Sequence, residues 1–498
     1  MLFNRNRRPA LISLMFLLTS LASGEDDLAA KSQRARQAMI DKRFDQAVDL
    51  YTELVNSLPS NPGMQMNLGL ALHSAGRYRE AIARFTTASK LQPSLAQAKL
   101  LTGVAYLKLG EPAHAIAPLN DAVKAGPTDP IARLELADAL LSTARFEDAA
   151  RHFGKLTELD SRDARGWQGL GLSYLGLARH AFEALEKVAS DSAYVLALLA
   201  NSRAQQRQDR SAFALYKQAL TEDAGLRGVH AGLAEIYRRA GHADWAGVEE
   251  ERERALPALD CSIVSAECAF LAGRHEQVIA VVGDSPQTLY WKARSYSALA
   301  LAALSRLAQL PPSPQIHELM AEAFRVQGQH GEAAKELRDA LQVEPGNSRL
   351  TTLLAGELWR NRDFDAAAPL LKKLVTANPK SAELNFQMGD LLLQQEQPEK
   401  ALPWLKSAVK FNPRLLPARA SLARGYMRLD RAAEAIEHFE AALPIDDDGS
   451  LHFQLARAYE HVGAAVKAKQ VLRQFEAISQ AGTSKRKRAE DERQITAP

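Results

Sequence analysis

Cysteine is almost absent. Cys261 and Cys268 are the only two in 498 residues, too few for a disulfide-rich scaffold. Aromatic residues make up 6% of the chain, and no stretch alternates β-branched or aromatic residues with polar ones, so nothing reads as a sheet. No HExxH, no pair of CxxC motifs and no GxxxxGK occurs. Their absence removes the usual zinc-hydrolase, zinc-ribbon and phosphate-loop readings. The longest apolar run, ALISLMFLLTSLA at 10–22, falls short of the roughly 20 residues that span a bilayer.

Excess charge of one sign is also lacking. Lys and Arg number 62 against 59 Asp and Glu. The surplus sits in MLFNRNRRP, where Arg5, Arg7 and Arg8 have no acidic neighbour. That basic start, the short apolar run and the small residues Ala22 and Gly24 follow the order of a secretory leader. Residues 1–24 are therefore expected to be a signal peptide cleaved near Gly24, giving an exported, periplasmic or secreted protein with no membrane span after cleavage. Glu25 stands where a lipidated cysteine would be, and Pro9 interrupts any twin-arginine signal. Without the leader, 59 basic residues face 59 acidic ones, which removes the electrostatic basis for general nucleic-acid binding.

What the chain has in quantity is alanine and leucine interspersed with Glu, Arg and Lys, a helix-forming mixture. It also repeats itself. KRFDQAVDLYTELVNSLP starts at Lys42, GRYREAIARFTTASKLQP at Gly76 and ARFEDAARHFGKLTELDS at Ala144, offsets of 34 and twice 34. In the second copy Leu68, Gly69 and Leu72 share one helical face, and Ala81, Phe85 and Ala88 share another. AGRY turns the chain between them, and Pro93 ends the second helix. Small residues let the two axes approach closely, and the aromatic fills the space beside them. A lone hairpin of this kind cannot bury both apolar faces, so it needs neighbours.

This pattern resembles the tetratricopeptide repeat, a family of 34-residue helical hairpins. Beyond Leu68–Pro93, the matching residues are Gly103, Tyr106, Ala115, Ala122 and Pro127, then Trp167, Leu170, Gly171 and Tyr174. Further matches are Ala321, Phe324, Ala333, Ala340 and Pro345, and the set closes with Leu422, Ala423, Tyr426, Ala435, Phe439 and Ala442. The resemblance covers most of residues 28–475. It implies an all-α, right-handed superhelical solenoid of about 12–14 antiparallel helix hairpins.

The phase slips in the middle. Pro59, Pro93 and Pro127 keep the 34-residue interval, as do Pro345, Pro379 and Pro413, but the distance between the two sets is about 20 residues short of whole repeats. We therefore expect an amino-terminal array at 25–309 with irregular, shortened repeats after about 175, a Pro-rich break at 310–315, a carboxy-terminal array at 316–478, and a disordered charged tail at 479–498. If Cys261 and Cys268 share a helix, seven residues separate them by about 10 Å, too far for a disulfide. The expectation is two small buried thiols.

No catalytic, cofactor or metal site is expected. Glycine-rich GWQGLGLSYLGL belongs to the repeat, and His114, His180, His242, His275 and His330 fall at turns. The resemblance implies instead a concave groove lined by the first helix of each hairpin. In the amino-terminal half that register gives Met66, Leu70, Leu100, Val104 and Leu107, followed by Leu134 and Leu141. Met66, Leu70 and His73 occupy the positions where chaperone-tail-binding members carry Lys, Asn and Lys. The carboxy-terminal half gives Arg325, Trp359, Arg360, Phe386, Arg424, Met427, Arg428, Phe453 and Arg457, the arginine and aromatic mixture of interface hot spots. The expected function is a non-catalytic scaffold of the cell envelope that binds a protein or an extended peptide in this groove. The alternative is an accessory subunit of an envelope polysaccharide or secretion assembly that also contacts glycan.

Overall fold

Every 34 residues the backbone passes through one left-handed residue: Lys42, Gly76, Gly110 and Ala144; then Arg207 and Gly241; then Gly328, Arg362, Glu396 and Asp430, all with φ between 56° and 86°. Each lies in the short turn that reverses a helix into its partner. The computed structural model describes residues 25–481 and 495–498. The leader reading at 1–24 and residues 482–494 of the tail lie outside the described residues.

The helices pair as follows. In the first unit, Met1–Ser173, α1 (Glu25–Ile40) turns into α2 (Phe44–Ser57), α3 (Pro62–Ser74) into α4 (Tyr78–Leu91), α5 (Ala96–Lys108) into α6 (Pro112–Ala125), and α7 (Pro130–Ser142) into α8 (Phe146–Leu159). The single helix α9 (Ala164–Val188) runs for 25 residues without a turn and contains the division between the units at Ser173 and Tyr174.

The second unit, Tyr174–Pro498, holds α10 (Ala193–Gln205) with α11 (Asp209–Glu222), α12 (Val229–Arg239) with α13 (Ala243–Ala255), and the short pair α14 (Ser265–Leu271) and α15 (His275–Ile279). The 23-residue α16 (Pro286–Ala308) follows. Next come α17 (Pro314–Val326) with α18 (His330–Val343), α19 (Ser348–Arg360) with α20 (Phe364–Ala377), α21 (Ala382–Gln394) with α22 (Pro398–Phe411), α23 (Leu416–Arg428) with α24 (Ala432–Ala442), and α25 (Ser450–His461) with α26 (Ala465–Ala481). Twelve hairpins and two long helices account for the α-helices among the described residues, which contain no strand.

The local sequence explains the alternation. Six first helices open on a side-chain cap. Asn61 accepts from Gly63 N and Met64 N, Asp129 caps α7, and Ser313, Asn347 and Ser381 cap α17, α19 and α21. These caps satisfy amides that the first helical turn leaves free. Most second helices have no such cap, because the left-handed residue folds the chain straight into them. Ser313 and Pro314 also turn the proline cluster at 311–314 into the start of α17.

Within each unit the second helix of most hairpins packs on the first helix of the next, as in α4 on α5, α6 on α7 and α18 on α19. This is the solenoid arrangement of a helical-repeat protein. The repeat positions form its core. Ala81, Phe85, Ala88, Ala115, Ala122, Ala333, Ala340, Ala435 and Phe439 are at most 2% exposed. Four buried clusters result, two in each unit.

The cysteine expectation is corrected. Cys261 and Cys268 form a disulfide, with their Cα atoms 5.7 Å apart. Only Cys268 is helical. Cys261 lies in the turn that precedes α14, stabilised by Ser262 N and Oγ donating to Asp260. The turn brings the chain back on itself, and the helical spacing assumed for the pair does not apply.

Candidate binding groove

A cavity of about 300 Å³ opens between the first helices of three successive hairpins, α19, α21 and α23, and the entry to α25. Three of the expected groove residues, Trp359, Phe386 and Arg424, line it together. They come from different hairpins because equivalent positions on stacked first helices are neighbours in space.

Asp390 ties this wall together. Its carboxylate accepts from Trp359 Nε1 at 3.2 Å and from Ser421 Oγ at 2.8 Å, joining α19, α21 and α23. The Trp359 and Phe386 rings meet edge to face, with centroids 5.4 Å apart. Phe386 is buried and Trp359 half-buried. Each ring offers the cavity part of its surface while the rest anchors in the core. Across from them Arg424 is half-buried, and its buried Nε has no hydrogen-bond partner. An unpaired buried guanidinium nitrogen is costly.

The opposite rim is acidic. Asp446 accepts from Leu451 N and His452 N, and its carboxylate also meets His452 Nδ1 at 2.5 Å. Asp448 accepts from Ser450 N, which holds its carboxyl below the ordinary range. The cavity therefore combines an aromatic wall, one arginine and three carboxylates, of which Asp390 is engaged by Trp359 and Ser421 and Asp446 and Asp448 by the start of α25. It suits a segment with an apolar side chain and a neighbouring acceptor better than a strongly acidic one.

The other expected residues are placed differently. Arg428 is exposed and reaches back to donate to the Leu393 carbonyl, which supports the end of α21. Met427 packs half-buried on the carboxy-terminal core. Arg360 pairs with Glu357 at 3.0 Å, and Arg325 with Glu322 in a two-point contact. Phe453 is 44% exposed beside Phe475, and Arg457 is exposed. In the first unit Met66 is only 6% exposed and belongs to the core. Leu70 is half-buried against that same core, Leu100, Leu107, Leu134 and Leu141 against the next, and Val104 is half-buried.

Two contributors escaped the sequence reading. Asp390 and Ser421 are ordinary polar helix residues, and only the stacking of hairpins reveals their pairing. Among the described residues, His317, Glu336 and Asp339 form the single group whose ligand atoms converge. His317 Nδ1 already pairs with Glu336 at 2.8 Å, and all three are half-buried. We assign the group no metal.

The repeat geometry has a counterpart among known families. The model described as the tetratricopeptide repeat matches residues 74–130 and 352–415, and the second match enters the groove. The chain contains tetratricopeptide repeats. Among similar curated proteins, anaphase-promoting complex subunit 3 of Schizosaccharomyces pombe is 23% identical over 189 residues, covering 37% of this chain and 28% of that protein. DnaJ homolog subfamily C member 3 of Gallus gallus is 23% identical over 211 residues, covering 38% and 42%. The match thus spans less than half of either relative. Among solved structures, the anaphase-promoting-complex hetero-tetramer Cut9–Hcn1 aligns with 95% of this chain and 97% of its own at 14% identity and a TM-score of 0.33. The tetratricopeptide-repeat fold is typical of protein–protein interaction scaffolds. No described helix is long and apolar enough to cross a membrane.

Proposed function

We propose that this tetratricopeptide-repeat protein is a non-catalytic scaffold whose carboxy-terminal groove holds an extended segment of a partner protein. One observation carries the reading: Trp359, Phe386 and Arg424, from three successive first helices, line one cavity. Such a cavity accepts a large apolar side chain beside a backbone or carboxylate oxygen, with successive first helices reading successive residues. One relative is by name a subunit of a multi-protein complex, which agrees with a scaffold role. The glycan-contacting alternative calls for aromatic rings displayed in a row, whereas Trp359 is half-buried and Phe386 buried.

The test is selection of displayed random peptides on the full chain, followed by rebinding to Trp359→Ala and Arg424→Ala variants of unchanged circular dichroism. Selected peptides should lose at least about tenfold in affinity on each variant. Peptides that bind both variants as well as the parent would place recognition elsewhere.

We also propose that the protein works outside the reducing cytosol, in the cell envelope or beyond. The Cys261–Cys268 disulfide supports this, because such bonds persist mainly in oxidising compartments, and so does the leader-like order of residues 1–24. Protein recovered from its native compartment should begin near residue 25 and should resist thiol alkylation until reduced. An intact Met1 together with two free thiols would contradict the proposal.

A further inference from the structure

Hairpin α12–α13 breaks the stacking rule. Elsewhere in its unit the second helix of a hairpin usually supports the first helix of the next. Among the described residues, α13 packs extensively on α12 alone, and α16 packs instead on α10, α14, α15 and α17. The chain leaves α13 through Pro257 and turns toward the start of α12, where Arg227 donates to the Pro257 carbonyl and pairs with Glu267 of α14. The α12–α13 turn lies at the other end of the hairpin.

That end is aromatic. Tyr237 packs against Phe213 with centroids 5.8 Å apart and edge-on against Trp245 at 5.6 Å. His242 stacks on Trp245 at 3.9 Å. Tyr237 is 0% exposed, so its hydroxyl needs an acceptor. The acceptor comes from far along the chain: Tyr237 Oη donates to the Thr496 carbonyl at 2.7 Å, across 259 residues of sequence. Ile495 packs half-buried on the core that contains Tyr237, while Thr496 and Ala497 are exposed. Residues 495–498 have no regular secondary structure.

We propose that the α12–α13 turn is a second peptide-binding site and that the chain's own segment Ile495–Pro498 is its ligand. The site reads one β-branched side chain, taken onto the apolar core, and one backbone carbonyl, taken by the tyrosine hydroxyl. A carbonyl is present in every peptide, so the side chain supplies what selectivity there is. Two contacts make a weak site for a free peptide. Tethering supplies an effective concentration of the order of millimolar, which lets such a site be filled by its own chain. The bound segment covers the aromatic turn of the hairpin. This site lies on different hairpins from the Trp359 cavity and does not depend on its function.

The experiment replaces exposed Ala497 with a benzophenone photo-crosslinking amino acid in the full chain. Irradiation of dilute protein should join residue 497, within one molecule, to peptides from residues 229–255. Adding Ile495→Asp should lower that yield at least about fivefold, as expected when an isoleucine loses its burial, with circular dichroism unchanged. Cross-links scattered along the chain, cross-links between two molecules, or a yield indifferent to Ile495→Asp would each overturn the proposal. Tyr237→Phe on the cross-linking background gives a separate reading of the hydrogen bond and should lower the yield roughly two- to tenfold.

Discussion

Gly69 of α3 faces Phe85 of α4 so closely that a Cβ on residue 69 would stand 2.5 Å from the Phe85 ring. Phe85 is 0% exposed and held on all sides. Gly69→Ala is therefore expected to destabilise the first unit by about 1–3 kcal/mol through overpacking, although alanine is the better helix former by about 1 kcal/mol. Urea unfolding followed by circular dichroism, with amide exchange of residues 62–91 as the local readout, checks the sign. A more stable variant would mean that the Phe85 ring moves aside at little cost.

Ala144 adopts φ 58° in the turn from α7 to α8, where the equivalent turns at 76 and 110 carry glycine. A left-handed alanine costs about 1–2 kcal/mol, and the extra chain entropy of an unfolded glycine gives back about 0.5–1 kcal/mol. Ala144→Gly should stabilise the first unit by about 0.5–1 kcal/mol, seen as a higher urea midpoint. A lower midpoint would show that Ala144 makes a contact worth more than its strain.

His73 lies near the end of α3, edge-on to Tyr78 at 5.1 Å, with a buried, unpartnered Nε2. Burial, and then the positive charge of Lys108, lower its pKa from 6.5. The unfolded chain thus takes up the proton more readily than the folded one. Its contribution is present above about pH 6.5 and is lost as the pH falls toward the lower folded value. The urea midpoint of the first unit should fall between pH 7.5 and 5. His73→Gln should make that fall shallower, although His152, also lowered by burial, retains part of it. An unchanged pH slope would remove His73 from the account.

Much of the fold is legible in sequence, because each hairpin's decisive contacts are local. Ala81, Phe85 and Ala88 recur at helical spacing, and each recurrence predicts the same buried seam. What escapes are contacts without a period. Cys261 pairs because it sits in a turn, which two residue numbers cannot reveal. Met66 and Leu70 both satisfy the first-helix register, yet one is core and the other half-buried, since a methionine between two hairpins can bend toward either face. Arg428 shares its register with Arg424 but turns its long side chain back to a backbone carbonyl. The Tyr237–Thr496 hydrogen bond involves one tyrosine and one peptide group, and neither carries a pattern.

Arg424 and Arg428 yield the sharpest contrast on the groove. They are four residues apart on α23 and look equivalent as candidate anchors. Arg424 lines the cavity, and its buried Nε has no hydrogen-bond partner. Arg428 donates to the Leu393 carbonyl at the end of α21, adding a side-chain donor to the Glu396 N–H that this carbonyl already accepts at 3.0 Å. Replacing Arg424 by alanine should therefore weaken binding of a selected peptide by about 1–3 kcal/mol, the range for a hydrogen bond to a charged group, while unfolding hardly moves or rises slightly as an unsatisfied buried nitrogen disappears. Replacing Arg428 by alanine should do the reverse: stability falls by about 0.5–1.5 kcal/mol as one hydrogen bond between α23 and the end of α21 is lost, and peptide affinity changes less than threefold. Calorimetric titration and urea unfolding on both variants give four numbers, and the prediction is the crossed pattern among them. Equal affinity losses would mean that Arg428 leaves Leu393 to meet the ligand. Loss of stability in Arg424→Ala with unchanged affinity would turn the cavity arginine into a packing residue and move the binding site off this face of α23.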